Sequence, residues 1–393
     1  MAKKKKKRGR AKKSRLKMFP FAVALTLGLA VFLGLVYFFA RSDGASSYPA
    51  YEEVYSNKSN LHRQMGRIDH AIFETLYRKG VPEDDIAFLH VRPRHSGGSD
   101  WDLTEMEIRL KAKRSVSRLS GILGEVLSEF EPTVTIEKKE ISENEVHCLI
   151  FALGFNTHRI RLVCKTERRP SKKNFFKVAI IVDDLGYDAE IGRAFMSLDL
   201  PLSLSFLPLA PKTGVMLKGV DQRKHELMLH LPMEPNHWPD LNPGPGALMT
   251  CMGENEIRET INRHLQRVNG ARGINNHMGS CFTQRRDKMR IVLSEIKERK
   301  LFFVDSRTTS KTVALGMARQ MGVPATERSA FLDNEPSQKA IQFQLERLLG
   351  IARHSGSGVG ICHPNKQALR VLKKNMARLK RDFRMVHVSK LAH

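Results

Sequence analysis

The 393-residue sequence has few cysteines, few aromatic side chains and a deficit of acidic residues. Its five cysteines contain no C-x-x-C pair, the spacing from which structural zinc sites are usually built. Cys148 and Cys164 flank a turn at "GFNT" with arms of nearly equal length, so the pattern allows a cross-strand disulfide in an oxidising compartment. Because the number of cysteines is odd, at least one thiol stays free.

The shortage of acid gives the chain a net charge of +25, and aromatic residues make up only 7% of it. Eleven Lys and Arg lie in the first 17 residues without one acid, so 25 − 11 leaves +14 for the remainder. Basic residues do not alternate with aromatic ones, as a surface that stacks nucleic-acid bases requires. We therefore expect no nucleic-acid partner, and a basic exterior suits an anionic envelope better.

Residues 19–40, "FPFAVALTLGLAVFLGLVYFFA", are 22 residues without a charge, about the length of a membrane-spanning helix. The basic tail at 1–18 predicts a cytoplasmic N-terminus and export of everything after the span. The alternative is a cleaved signal peptide, but the apolar run exceeds the usual ~7–15 residues and lacks a small-x-small cleavage site. The sequence thus predicts a single-pass anchor in a bacterial inner membrane with the following domains on the periplasmic side.

Three further segments follow the predicted anchor. Residues 41–59 are polar and without period, which is typical of a linker. Residues 60–167 have the order α-β-β-α-β-β, which predicts a small α+β domain that binds or acts as a spacer. After the charged "ERRPSKKN", residues 172–393 alternate short apolar strands with amphipathic helices. This alternation predicts an α/β fold, a distorted barrel of seven or eight β/α units.

Polar residues stand where the predicted barrel strands end. They are Asp183 and Asp184, His230, Asn275 with Asn276 and His277, Asp305 with Ser306 and Arg307, Asp333, and His363. In parallel barrels the C-terminal strand ends form one rim, which carries the reacting groups. Two carboxylates and two imidazoles there predict a site for Zn²⁺ or another divalent cation, which lowers the pKa of a bound water to ~7 for hydrolysis of an amide or ester.

Several motifs occur in a recognisable order: "IIVDDLG", "LMLHLPMEP", "PGPGAL", "INNHMGS", "FFVDSRTT", "FLDN" and "GICHP". Together they resemble the divergent polysaccharide deacetylase family, a distant branch of the NodB-type carbohydrate esterases, over about Lys177 to Ser389. The resemblance implies a NodB-like barrel and a metal-dependent hydrolase that deacetylates an N-acetylated envelope polysaccharide. The alternative is a catalytically silent envelope protein that binds a glycan or partner through the same cleft.

The resemblance also implies roles for single residues. Asp183 maps onto the catalytic base, Asp184 and His230 onto metal ligands, and His363 onto the acid. Asp305 is then expected to orient His363 or another ring nitrogen. The family's usual H-x-x-x-H has become H-x-x-x-E here, so the third metal ligand is His277, with Glu234 as the alternative.

Overall fold

The computed structural model describes residues 60–82, 85–165 and 176–393. The predicted tail, transmembrane segment and linker, residues 1–59, lie outside the described residues. Within the described ranges, no helix has both the length and the apolar character needed to cross a membrane.

The N-terminal part is a five-stranded sheet with two helices. Its elements are α1 (Asn60–Arg78), β1 (Ile86–Ser96), β2 (Ser99–Leu110), α2 (Lys113–Ser128), β3 (Val134–Ser142), β4 (Glu145–Ala152) and β5 (Phe155–Cys164). The strand order is β1-β2-β5-β4-β3, with only β2 and β5 parallel among these neighbours. Every second residue of β4 is buried, because one face of the sheet covers the core and the other faces solvent.

The disulfide that the positions of Cys148 and Cys164 allowed is not formed. Cys148 pairs across the ladder with Ile160 on β5, and Cys164 lies at the far end of that strand, so both thiols are free. The arms of the hairpin are in register, but the two cysteines stand at different distances from its turn.

The C-terminal part is a parallel α/β sheet. Its elements are β6 (Lys177–Leu185), α3 (Ala189–Met196), β7 (Ser203–Phe206), α4 (Thr213–Leu217), β8 (Glu226–Met233), α5 (Glu254–Arg267), β9 (Gly273–Met278), α6 (Arg286–Glu298), β10 (Phe302–Asp305), α7 (Ala314–Gln320), β11 (Ala325–Glu327), β12 (Ala330–Phe331), α8 (Gln338–Ser355), β13 (Ser357–Cys362), α9 (Lys366–Asp382) and β14 (Arg384–Met385). The order is β11-β10-β9-β8-β7-β6-β13-β12, with β14 against β6. Because β11 and β12 form opposite edges, the described strands make a curled, open half-barrel and not a closed barrel.

The strands of this sheet are buried on both faces. On β6, Val178 and Ile180 face the helices, whereas Ala179 and Ile181 pack inside the curl. Continuous Val/Ile runs are typical of such doubly covered parallel strands, and each large apolar side chain buried in this way contributes roughly 1.5–3 kcal/mol. The packing fixes the strands side by side, so their C-terminal ends meet along one rim.

Helix α8 contacts both parts of the chain. Phe343 on α8 packs edge-on against Phe73 of α1, with ring centroids 4.4 Å apart. Gly350 on the same helix lies so close to Phe88 of β1 that an added Cβ would come within 2.6 Å of the ring. This contact sets the first sheet and α1 beside the rim of the half-barrel.

Candidate metal centre

The end of β6 brings two consecutive carboxylates to one place. Asp183 and Asp184 are 2% and 5% exposed. Successive side chains of a strand normally point to opposite faces. Here the register of β6 against β7 shifts between Val182 and Leu185. Asp184 has a φ of 53°, in the left-handed region that few residues other than Gly adopt. The irregular backbone therefore breaks the alternation and lets both carboxylates face the same group of side chains.

Asp184, His230 and His277 form a compact cluster of three potential ligands. The Oδ1 atom of Asp184 lies 3.0 Å from Nε2 of His230 and 2.9 Å from Nδ1 of His277, and those two nitrogens are 3.2 Å apart. The two histidines come from β8 and β9, which are neighbours in the sheet. Three donor atoms from β6, β8 and β9 thus form a nearly equilateral triangle.

Asn275 determines which nitrogen of His230 carries the proton. The Nδ2 atom of Asn275 donates to both oxygens of Asp183, at 3.0 and 2.9 Å, so its Oδ1 atom is the end that faces His230. That oxygen accepts from Nδ1 of His230 at 3.1 Å. The Nε2 atom of His230 consequently presents a lone pair to the cluster.

The arrangement of His277 and Asp184 is also that of a metal site. Within the described part of the chain, Nε2 of His277 and Oδ1 of Asp184 are buried without a hydrogen-bond partner, although two ring nitrogens lie about 3 Å from the carboxylate oxygen. The short distances therefore lack the angles of N–H···O bonds. A buried carboxylate oxygen that accepts no hydrogen bond is costly, and a cation among the three converging atoms would remove that cost.

The cluster has the size and chemistry of a zinc site. Tetrahedral zinc with bonds of about 2.0–2.2 Å holds its ligand atoms roughly 3.3–3.6 Å apart, a few tenths of an ångström more than the edges of this triangle. Asp and His are ligands that zinc accepts, and three protein ligands leave the fourth position open. The residues present fit a divalent metal ion of this kind.

The two neighbouring carboxylates have opposite pKa shifts. Burial raises the pKa of Asp183. Burial would also raise the pKa of Asp184, but His277 and His230 outweigh it and hold the pKa well below the usual value. Asp184 is therefore ionised, whereas Asp183 is the more basic of the pair.

His363 follows β13 and faces the cluster from the other side. Its Nε2 atom is 4.0 Å from Oδ2 of Asp184, and its Nδ1 atom is 3.0 Å from Oδ1 of Asp333. The backbone N–H of His363 donates to the other Asp333 oxygen at 2.8 Å. Burial would lower the pKa of His363, but the charge of Asp333 and its hydrogen bond with Nδ1 raise the pKa to about 10. The ring is thus an imidazolium at neutral pH.

Two predicted residues lie outside this arrangement. Asp305 accepts from the Arg307 backbone N–H at 2.9 Å and from the Thr312 hydroxyl at 2.8 Å, so its carboxylate holds the loop after β10 and does not orient His363. The expectation for Asp305 is corrected: Asp333 is the carboxylate next to His363. Glu234 accepts from the Thr250 N–H at 2.5 Å and lies outside the three-residue cluster.

Asn275 and Asp333 are the site residues to which sequence reasoning gave no role. Both stand in motifs that drew attention, "INNH" and "FLDN". Asn275 precedes His277 by two positions on β9, so both side chains point to the same face. That spacing is the signal by which Asn275 could have been found.

Comparisons with known proteins show what the C-terminal part of the chain is similar to. The family model described as "Divergent polysaccharide deacetylase" matches residues 180–392. An uncharacterized protein of Haemophilus influenzae is 30% identical over 215 residues, covering 55% of this chain and 76% of the relative. The uncharacterized protein YibQ of Escherichia coli is 33% identical over 215 residues, covering 55% of this chain and 67% of that relative. The crystal structure of an uncharacterized Agrobacterium tumefaciens protein, 24% identical, has a TM-score of 0.53 over 57% of this chain and 92% of that chain, and shares the fold.

Proposed function

This chain belongs to the divergent polysaccharide deacetylase family, and we propose that it is a metal-dependent hydrolase that removes acetyl groups from an N-acetylated polysaccharide. The observation that carries the proposal is the convergence of the Asp184, His230 and His277 donor atoms between a basic carboxylate, Asp183, and a protonated imidazole, His363. Hydrolysis of an amide needs these three functions together: an electrophilic centre, a base for water and an acid for the departing amine.

Asp184, His230 and His277 would hold the metal. When bound, a divalent ion polarises the acetamide carbonyl and makes water more acidic. Asp184 supplies the anionic ligand, which its low pKa keeps ionised. Asn275 fixes the orientation of His230, as a hydrogen-bond partner of a ligating histidine does.

Asp183 and His363 move the protons. The Asp183 carboxylate is held through both oxygens by Nδ2 of Asn275 and takes a proton from the attacking water. His363 keeps Nδ1 on Asp333, so its Nε2–H faces the cluster and protonates the amine as the C–N bond breaks. The products are acetate and the free amino sugar, and each residue regains its original protonation state when the two protons equilibrate with solvent.

We also infer that the hydrolase is anchored in a bacterial inner membrane and acts on an envelope polysaccharide. The support is in the sequence: an uncharged 22-residue run follows eleven basic residues. Alkaline phosphatase fused after His393 should be active, because it folds only outside the cytoplasm. An inactive fusion with an active cytoplasmic reporter at the same position would overturn the topology.

Acetate release tests the activity directly. The full-length protein, purified in detergent and loaded with zinc, should release acetate from chitooligosaccharides or peptidoglycan fragments. Asp184→Ala, which removes the anionic ligand, is the matched inactive control. If the wild-type protein binds these glycans but releases no acetate from any of them, the chain is a glycan-binding protein and the proposed activity is wrong.

A further inference from the structure

A cleft of about 860 Å³ lies between α1 and the rim of the half-barrel. Its walls come from α1, from Trp101 and Asp102 on β2, from the loops after the rim strands, and from α8. Six of the lining residues are Arg or Lys and three are Asp or Glu. The N-terminal part of the chain thus completes a positively charged cavity that the half-barrel alone would leave open.

Three arginines with little exposed surface line this cleft. The Arg307 side chain is 9% exposed, and residues Arg328 and Arg347 are 8% and 9% exposed. Arg328 donates to the backbone carbonyls of Ser306 and Arg307, at 2.8 and 3.0 Å, so it is fixed in position. It also stacks on Phe331 with its guanidinium carbon 3.9 Å from the ring centroid.

In the ranges that the structure describes, Arg307 and Arg347 have only distant ion-pair or hydrogen-bond partners. Arg307 has its nearest carboxylates at 3.5 Å, on Glu327, and at 3.8 Å, on Asp102. Arg347 reaches Gln344 at 3.5 Å, and its Nε atom is buried without a hydrogen-bond partner among the described residues. Burying a guanidinium with an unmade hydrogen bond is costly, and a bound anion would remove that cost.

The charge balance in the cleft favours an anion. Burial would raise the pKa of Asp102, but Arg328, Arg307 and Arg347 outweigh it and lower the pKa. Asp102 is therefore ionised, and Asp102 and the partly exposed Glu327 together set two carboxylates against three guanidinium groups. The surplus positive charge is in a buried site, where salt screens it less than on a surface.

The cleft adjoins the catalytic residues. Phe331, which stacks on Arg328, also lies parallel to the His363 ring at a centroid distance of 6.1 Å. Thr308, another lining residue, donates to the carbonyl of Met278, directly after His277. A ligand seated on the arginines would therefore extend towards the metal cluster.

We propose that this cleft binds a carboxylate or phosphate group of the polymer, so that the substrate is an acidic glycan in which the acetylated sugar neighbours an anionic residue. The inference rests on the proposed function, because it assumes that the rim is the catalytic centre. Guanidinium groups pair with the planar oxygens of carboxylates and phosphates through two parallel hydrogen bonds. Arg347 and Arg307 supply such groups, and Arg328 lines the wall towards His363.

Calorimetry tests the anion site by measuring how tightly matched disaccharides bind. The protein used is the zinc-loaded, full-length Asp183→Asn variant, in which the proposed base is removed. The probes are N,N′-diacetylchitobiose, its 1-phosphate and glucuronyl-N-acetylglucosamine. At least one charged probe should bind at least ~10-fold more tightly than the uncharged N,N′-diacetylchitobiose. The probe that does so identifies phosphate or carboxylate as the anion. Adding Arg347→Gln should abolish this preference. Adding Arg290→Gln, at an exposed position on α6, makes the same change of net charge and should leave it intact.

Equal affinity for the three probes, or an undiminished preference in the Arg347→Gln protein, would overturn the inference. If Arg347→Gln does not fold, Arg307→Gln and Arg347→Lys are compared in the same way. Arg347→Lys keeps the charge but loses the paired donors, so its preference should be intermediate. The two proposals can be refuted independently. A preference for the acidic probes without acetate release refutes only the proposed activity. Acetate release without a preference for the acidic probes refutes only the anion site.

Discussion

Asn275→Asp is the substitution that separates metal binding from proton transfer most cleanly. The new side chain has the same shape, and one of its oxygens can still accept from Nδ1 of His230 and from the Ser205 hydroxyl, which lie 3.1 and 2.5 Å from the present amide oxygen. The other oxygen replaces the Nδ2 donor that now lies 2.9 and 3.0 Å from the two oxygens of Asp183. The change preserves the contact with His230, the proposed ligand, and reverses the contact with Asp183, the proposed base.

The magnitude follows from this distance. Two carboxylates about 3 Å apart repel by roughly 5 kcal/mol at an effective dielectric constant of about 20. One pKa unit corresponds to about 1.4 kcal/mol, so the repulsion is equivalent to about four units. Burial already raises the pKa of Asp183, so the new pair should retain one shared proton at neutral pH. The base is then blocked, and acetate release at neutral pH should fall by roughly 10²–10⁴-fold.

The assay is the pH profile of acetate release together with the zinc content of the purified protein. Activity of Asn275→Asp should recover partly as pH rises and the shared proton is lost, while zinc stays stoichiometric. Asn262→Asp, at an exposed position on α5, makes the same change of charge and should behave like the wild type. Asn275→Leu removes both ends of the amide and should instead weaken zinc binding by roughly 10–100-fold.

Two results would refute the reasoning about Asn275. Near-normal activity of Asn275→Asp at neutral pH would show that Asp183 is not the base. Loss of zinc from Asn275→Asp would show that the amide oxygen does not orient His230 as described.

Three further substitutions test the remaining groups. Asp184→Ala should abolish stoichiometric metal binding, because two histidines are too few donors to replace the water ligands of the ion, and elemental analysis showing unchanged metal would contradict its role as a ligand. His363→Ala should depress hydrolysis of an acetamide far more than that of an activated aryl acetate, since only the amine needs a proton to leave, whereas equal losses would exclude it as the acid. Asp333→Asn removes the charge that raises the pKa of His363 to about 10. Since activity falls as pH rises through that pKa, the alkaline limb of the acetamide pH profile should move to lower pH, and an unmoved limb would argue against His363 as the titrating group.

The sequence was sufficient to predict the rim of the half-barrel and the cluster on it. Parallel strands end at one edge whatever their order, so Asp184, His230 and His277 could be expected to lie together once each was seen to end a strand. The sequence did not show which carboxylate would reach His363. That depends on strand order: β12 pairs with β13, placing Asp333 beside His363, whereas β10 lies at the other end of the sheet with Asp305. Asp305 and Asp333 follow strands equally well in the sequence, and only long-range pairing distinguishes them.

The pair Asp183-Asp184 shows why irregular backbone is retained at this rim. A non-glycine residue with positive φ costs stability, yet three such residues lie within two positions of the ends of β6, β9 and β10: Asp184, Met278 and Arg307. In a regular β6 one of the two carboxylates would point away from the cluster. The irregularity places one beside His230 and His277, which keep it ionised, and the other against the neutral amide of Asn275, where burial makes it more basic. Adjacent residues of one type thus acquire the different properties that a ligand and a base require, and the conformational cost at Asp184 is what makes this division possible.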